Sequence, residues 1–248
     1  IAVEISCDKE DTHNLLNDLG LPVPKQAMVY GEKQAARAAR SIGYPVVVKP
    51  LNANHGRGVS INLTDDEEVI TAYHEAQKHG TSKAILIESF ITGFDHRMLV
   101  VNDELVAVAK RVPGHVVGDG KSNIEELVDI VNLDPRRGIG HEKVLTRLEL
   151  DSQAERLLEE ANYDKNTVLD KDQVFFLRST ANLSTGGTSI DVTDMVHPDN
   201  RDMAVRSIKA IGLDVGGVDF LTDDISKSYK EIGGGICECN AAPGLLYR

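Results

Sequence analysis

The run Met98–Val101, Asn102-Asp103-Glu104, Leu105–Ala109 limits the fold more than any other stretch of this chain. Two short apolar segments joined by so short a polar turn must pair back on each other, so the sheet they begin is antiparallel. A parallel sheet would need a crossover of about a dozen residues between them. That excludes a parallel dinucleotide-binding unit here. Around this hairpin, helix and strand signals alternate. Asp8 to Asn17 opens with an acidic cap candidate, places Leu15, Leu16 and Leu19 for a short amphipathic helix, and ends at Gly20 and Pro22. Gly31-Glu32-Lys33 starts a second helix to Ser41, and Gly43-Tyr44-Pro45 stops it before the apolar strand Val46–Val48. Thr64 is the expected cap of a helix whose first turn carries Asp65, Asp66, Glu67 and Glu68, where the helix dipole favours acids. Ala84–Ile87 reads as a strand, and Asp199–Leu213 as a helix stopped by Gly212. Between them, Asn123 to about Lys171 turns charged and helical around a polar connector at Asp134–His141, the pattern of an inserted subdomain. The fold class expected is α+β.

Chemistry concentrates in three places. Gly217-Val218-Asp219-Phe220-Leu221 and Ile236-Cys237-Glu238-Cys239-Asn240 are apolar-flanked strands. Their period of two puts Glu238, Asn240 and Ile236 on one face and Cys237 and Cys239 on the other. Asp219, Glu238 and Asn240 then offer oxygens of the kind magnesium takes, one or two carboxylates completed by substrate phosphates. The same pattern also describes a half-exposed strand whose polar face meets water. Lys49 ends the Val46–Val48 strand and is followed by Asn52-Ala53-Asn54-His55-Gly56-Arg57-Gly58. Backbone N–H groups in such a loop can cradle an anion, so loop and lysine read as a phosphate clamp; a plain hairpin turn is the other reading. Arg178 precedes a hydroxyl- and amide-rich loop to Ser189, suited to recognising a carboxylate or phosphate, or equally an exposed linker. Two apparent motifs are discounted: Gly118-Asp119-Gly120-Lys121-Ser122 lacks the upstream glycine of a phosphate-binding loop, and the sequons at Asn62 and Asn182 are expected to be chance, since secretion is not indicated.

Composition narrows the partners. The net charge is -12 over 248 residues with no run of Lys and Arg, which argues against a grip on nucleic acid. No stretch of about 18 apolar residues is present to span a membrane. Three cysteines, two of them a single residue apart, form neither a disulfide framework nor a zinc site. A cytoplasmic protein acting on small molecules is expected, in which copies of the chain can associate as a homo-oligomer or not. A start at Ile1 and an end four residues after Gly244 suggest a piece of something longer.

The order Lys9, Lys49 with its glycine-rich loop, Glu88 to Asp95, Asp219, and Glu-x-Asn-x-x-Pro-Gly over 238–244 resembles the ATP-grasp ligases. The runs Lys49–Val59, Asp134–Glu142, Asn182–Gly187 and Asn240–Gly244 are similar to a branch of that family that builds a poly-aspartate backbone, and the likeness covers essentially the whole chain. The resemblance implies an ATP-grasp fold: a lead-in helix over 1–21, a small α/β lid subdomain over 22–88, and an antiparallel-sheet body over 89–248 with a helical insertion at about 121–172. Flanking domains of a longer parent protein would lie outside it.

Residue by residue, Lys9 and Lys49 would touch ATP phosphates under a loop of His55, Gly56, Arg57 and Gly58. The hinge Glu88, Ser89, Phe90 and Ile91 would meet adenine, and Asp95 the ribose. Asp219, Glu238 and Asn240 would hold magnesium, two ions bridging the phosphates. Arg97, with Arg178 and the loop of Asn182, Ser184, Thr185, Gly186 and Gly187, would meet the acceptor or the transferred phosphate. In the D-alanine ligase branch an arginine stands two residues before the metal aspartate; Gly217 occupies that place here, so Arg97 or Lys110 would neutralise the transferring charge. The implied reaction is ATP-dependent amide formation through an acyl phosphate, adding aspartate to the C-terminal carboxylate of a poly-aspartate primer. Other readings are a glutathione-synthetase-like or D-alanine-ligase-like enzyme, or a nucleotide-binding module without turnover.

Overall fold

The computed structural model describes residues 9–51, 58–80, 82–140, 142–179, 181, 183–241 and 243. Helix α1 (Lys9–Asp18) leads into a four-stranded antiparallel sheet of β1 (Gln26–Val29), β2 (Val46–Pro50), β3 (Ser60–Leu63) and β4 (Ile85–Ser89), ordered β1-β4-β2-β3. Helices α2 (Glu32–Ile42) and α3 (Asp66–His79) cover one side of it. Val46 and Val48 point inward to meet Ala35, Ala39, Val69, Ala72 and Ala76, small residues that let the helices approach the sheet closely. The cap of α3 is Asp65, whose side chain accepts from Glu68 N, rather than the expected Thr64. Thr64 instead donates through its amide and hydroxyl to Glu68, so the two residues divide a capping box between them.

A five-stranded antiparallel sheet follows: β5 (Phe94–Val101), β6 (Glu104–Val112), β11 (Thr188–Asp191), β12 (Val215–Thr222) and β13 (Gly235–Asn240), ordered β11-β6-β5-β12-β13. The β5–β6 turn is two residues, with Asn102 at φ 48° and Asp103 at φ 64°. Positive φ at both turn positions matches the twist of the strands, and Asn and Asp tolerate that region best after glycine. Glu104 already belongs to β6, opposite Val101. On one side of this sheet Met98, Val108, Val218 and Phe220 pack against Met203, Ala204, Ile208 and Ile211 of helix α6 (Pro198–Ile211) and Leu16 of α1. Burying each large apolar side chain contributes about 1.5–3 kcal/mol. Gly212 ends α6 in the left-handed conformation, φ 82°.

Between β7 (His115–Val117) and β10 (Val174–Phe176), which pair with each other, the chain builds helices α4 (Ile124–Asn132) and α5 (Ser152–Glu160) and a small parallel pair, β8 (Arg137–Gly138) with β9 (Leu145–Thr146). This segment has its own core of Val116, Ile124, Leu127, Val128, Leu148, Ala154, Leu158, Leu169 and Leu177. A capping box, Asn123 with Glu126, starts α4. A short helix α7 (Tyr229–Ile232) precedes β13.

Candidate active site

The far side of the five-stranded sheet from α6 is charged. Strand register explains why: Arg111 stands opposite Asp95, Arg97 opposite Asp219, and Asp219 opposite Glu238. Alternation sends Asp95 and Arg97 of β5, Arg111 of β6 and Asp219 of β12 to the same face. Arg97 donates to both oxygens of Asp219, from Nε to Oδ1 and from Nη2 to Oδ2 at 2.9 Å. Arg111 Nη2 donates to both Asp95 oxygens, at 2.8 and 2.7 Å, and lies 3.0 Å from Asp219 Oδ2. Two guanidiniums and two carboxylates thus interlock with little exposure, 13–15% for the arginines and 9% for Asp219. Burial works against charge on Arg111, but Asp219 and Asp95 outweigh it and hold its pKa above the ordinary value. For Asp95, burial raises the carboxyl above its usual range, Arg111 opposes, and the nearby Asp219 raises it further.

The sequence pointed to Arg97 or Lys110 as the cation replacing the arginine absent at position 217. The structure places Arg97, not Lys110, beside that position. A Cβ at Gly217 would lie 2.6 Å from Pro243 Cβ and 3.2 Å from Arg97 Cδ, so the Arg97 stem and Pro243 fill the place of a side chain there. Lys110 is not brought to the site: one residue before Arg111, it turns to the opposite face and sits over the Phe94 ring, 3.1 Å from its centroid. Arg111 was missed. Once Arg97 is placed on the face of Asp219, the antiparallel β5–β6 register puts Arg111, not Lys110, beside it.

Asp219 and Glu238 face each other across β12 and β13, with Asn240 two residues on, opposite Gly217. The period of two fails on β13, however. A bulge between Asp219 and Phe220 leaves Cys237 without a partner, so Ile236 joins Cys239 in the core while Cys237 lines the cleft with Glu238. Among the described residues no three His, Cys, Asp or Glu gather as a complete metal cage. The donor set nonetheless suits magnesium, which takes few protein carboxylates and relies on phosphates and water for the rest. Asn240 Nδ2 is buried and unpaired, an orphan that a turned amide presenting its oxygen to a cation would resolve.

Across a cleft from β13 stands the four-stranded sheet. The cavity between them is lined by Val47, Lys49, Leu86 and Glu88 on one side and by Ile236, Cys237 and Glu238 on the other, with His13 of α1 at its edge. Lys49 Nζ is paired with Glu88 at 2.7 Å. His13 is a second residue that sequence reading passed over, although it follows Lys9 by four positions on one helical face. Burial lowers its pKa, with Glu88 opposing and Lys49 adding to the shift.

In the stretch expected to be a hinge, Ser89 exchanges bonds with Lys25, donating from N to Lys25 O at 2.8 Å and accepting at Oγ from Lys25 N at 3.0 Å; Phe90 N donates to Pro45 O. Ile91 packs against β13 where a Cβ on Gly235 would lie 2.1 Å from its Cδ1. Of the expected loop over Lys49, Gly58 takes φ 69°, against His79. His55, Gly56 and Arg57, the Lys9 side chain, and Asn182 lie outside the described residues.

Arg178 does not reach the cleft. It is 4% exposed, and its guanidinium is spent on Thr185 O, Leu177 O, Glu149 O and the Asp151 carboxylate. A buried arginine with this many protein acceptors is a latch, pinning the turn at Leu183–Thr185 to the inserted segment. Arg137 adds a second tie, donating to Gly186 O at 3.0 Å and Thr146 O at 2.7 Å. Ser184 is left exposed at the tip, while Gly186 and Gly187 are buried. Gly186 takes φ 93°, and its Cβ would lie 2.9 Å from Leu148 Cδ1.

A lysine-bearing sheet facing a carboxylate-bearing antiparallel sheet across a cleft defines a nucleotide-binding α+β protein of the ATP-grasp type. The chain belongs to this family: residues 8–147 match the model described as carbamoyl-phosphate synthase L chain, ATP binding domain. It is 49% identical over 246 residues to a cyanophycin synthetase of Synechocystis sp. and 47% to that of Crocosphaera subtropica, covering 99% of this chain and 28% of each relative. The chain thus spans under a third of the length of those relatives. Among solved structures, a bifunctional glutathione synthetase from Pasteurella multocida matches with a TM-score of 0.73 and 31% identity, over 98% of this chain and 34% of that one. ATP-grasp ligases use ATP and Mg2+ and bind carboxylate and amine substrates. No helix among the described residues is long and apolar enough to cross a membrane.

Proposed function

We propose that this chain is the ATP-grasp part of a cyanophycin-synthesising ligase, activating the C-terminal carboxylate of a poly-aspartate primer and joining it to the amine of free aspartate. The observation that carries the reading is the cleft itself, with Lys49 and Glu88 on one wall and Glu238, beside Asp219, on the other. Identity of 47–49% to cyanophycin synthetases along nearly the whole chain supports this choice of substrate class.

Little covalent chemistry is required of the protein. Phosphoryl transfer is catalysed mainly by positioning and charge neutralisation. Lys49 grips phosphate oxygens, the apolar walls at Val47, Leu86 and Ile236 hold the base and exclude water, and Arg97 meets charge on the transferring group. Asp219, Glu238 and Asn240 would hold magnesium, expected as two ions, which would supply charge neutralisation at the phosphate oxygens. Residues 22–88 act as a lid hinged at 88–95, and Asp95, steadied by Arg111, takes the ribose. Ser184, at the tip of the latched turn, faces the acceptor. The primer carboxylate attacks the γ-phosphorus of ATP and releases ADP, and the amine of aspartate then attacks the acyl carbon, expelling phosphate and losing a proton to solvent to leave an amide.

The deciding assay is ADP release by this chain and by its full-length parent, with a poly-aspartate primer and aspartate. Aspartate- and primer-dependent release supports the proposal. Release with a glutathione precursor instead would favour the second reading, a glutathione-synthetase-like ligase, which the match to the Pasteurella multocida structure makes specific. Nucleotide binding without release from either protein would leave a binding module. Lys49→Ala should weaken ATP by about 1–3 kcal/mol in calorimetry, the scale of a charge-assisted hydrogen bond.

A further inference from the structure

Both oxygens of Asp219 already carry a guanidinium donor. Its Oδ1 accepts from Arg97 Nε, and its Oδ2 lies 2.9 Å from Arg97 Nη2 and 3.0 Å from Arg111 Nη2. A divalent cation arriving at this carboxylate meets two guanidiniums already on it, and like charges so close repel. The two arginines are not equally held. Arg111 bridges Asp95 and Asp219, so its departure would strip two carboxylates of their partner. Arg97 has Asp219 as its only carboxylate among the described residues, so its departure costs one pairing. Its stem lies against Gly217 and Pro243, in the space that a side chain at 217 would need.

We propose that Asp219 exchanges Arg97 for the metal that accompanies the nucleotide, while Arg111 stays and keeps the carboxylate in place. Arg97 is thus a stored cation. In the empty cleft it neutralises the metal ligand; in the filled one it is released toward the anionic oxygens of the transferring group. Arg111 is a positioning residue that ties the ribose-side Asp95 to the metal-side Asp219. The inference rests on the reading of Asp219 and Glu238 as metal ligands.

The test uses Mn2+ alone as the probe, followed by electron paramagnetic resonance without nucleotide. Arg97→Gln and Arg97→Met remove the competing charge, and Mn2+ affinity should tighten by about tenfold over wild type. Adding Asp219→Asn to either variant should abolish that gain. Unchanged or weaker Mn2+ binding in both arginine variants overturns the exchange. Wild-type protein gives a reading independent of any variant's folding. The Arg97 Nε proton, hydrogen-bonded to Asp219, should be protected from solvent exchange and lose protection on adding Mg2+ with a non-hydrolysable ATP analogue, while the Arg111 guanidinium signals hold. Protection retained at Arg97 in the filled site also overturns the proposal. Wild type that binds the Mg2+–analogue complex but shows no such change fails only the exchange. Wild type that binds no nucleotide at all fails the functional reading beneath it.

Discussion

Neighbouring residues on the same strands of the large sheet lead opposite lives. His96 and Arg97 differ by one position on β5, and Lys110 and Arg111 by one on β6. Arg97 and Arg111 turn to the cleft and are neutralised by Asp95 and Asp219. His96 turns inward, 1% exposed, with Nδ1 unpaired, and Lys110 turns with it to cover the Phe94 ring at the sheet's rim. Buried charge on the cleft face is matched charge for charge; on the core face the His96 ring is kept neutral instead. Both are solutions to the cost of taking a charge out of water, by pairing in one case and by a shifted pKa in the other.

The largest test breaks the pairing. Asp219→Ala leaves Arg97 without its carboxylate and Arg111 with half of its anchorage, in a place too enclosed for water to compensate fully. Breaking a buried pair by removing one partner costs about 3–5 kcal/mol, so urea unfolding should show a loss near the lower end of that range, together with loss of turnover. A loss under about 1 kcal/mol would mean that the cleft-face network is loosely held and that the contrast between the faces is one of exposure only.

Legibility followed the same division. The β5–β6 turn and the strand bearing Lys49 are local patterns of period two and polar punctuation, and a sequence states those directly. The partners of Arg178 were not legible, because they are backbone carbonyls at residues 149, 177 and 185 and the Asp151 carboxylate, a set that exists only after the inserted segment has packed. The faces of Ile236 and Cys237 were misassigned, while Glu238, Cys239 and Asn240 alternate as expected, because a bulge is a property of the pair of strands and nothing in Ile236–Asn240 alone shifts its register. Arg111 was within reach, since a single register assignment between β5 and β6 separates it from Lys110.

A second test sharpens the core face. Burial lowers the His96 pKa from 6.5 to about 4, with the backbone of Phe94 opposing, Lys110 adding, and the backbone of Phe220 and Asp224 opposing. Its folded value lies below its unfolded one, so the unfolded chain binds more protons between them. Stability from this residue is therefore complete above pH 6.5 and is lost as pH falls toward about 4, by about 3 kcal/mol in all. Asp95 on the cleft face works with the opposite sign, because its raised carboxyl takes up a proton more readily folded than unfolded. A His96→Leu variant, unfolded in urea across this range, should flatten or invert the acid-side slope seen in wild type. An unchanged slope would move the acid sensitivity away from this ring.

The smallest test concerns Lys110. The resemblance to ATP-grasp ligases offered it as a catalytic cation, yet its ammonium faces Phe94, a half-exposed ring on the side of the sheet away from Asp219. A cation over an exposed aromatic ring contributes about 0.5–1 kcal/mol. Lys110→Met keeps the aliphatic stem over the ring and removes only the charge, so it should cost no more than this in urea unfolding and should leave nucleotide affinity and ADP release at wild-type values. Arg111→Met, one position along the same strand, should by contrast weaken nucleotide binding, since it unties Asp95 and Asp219 together. A loss of turnover in Lys110→Met equal to that in Arg111→Met would mean that the charge at 110 acts through the sheet, and the separation of the two faces would fail at its closest pair of residues.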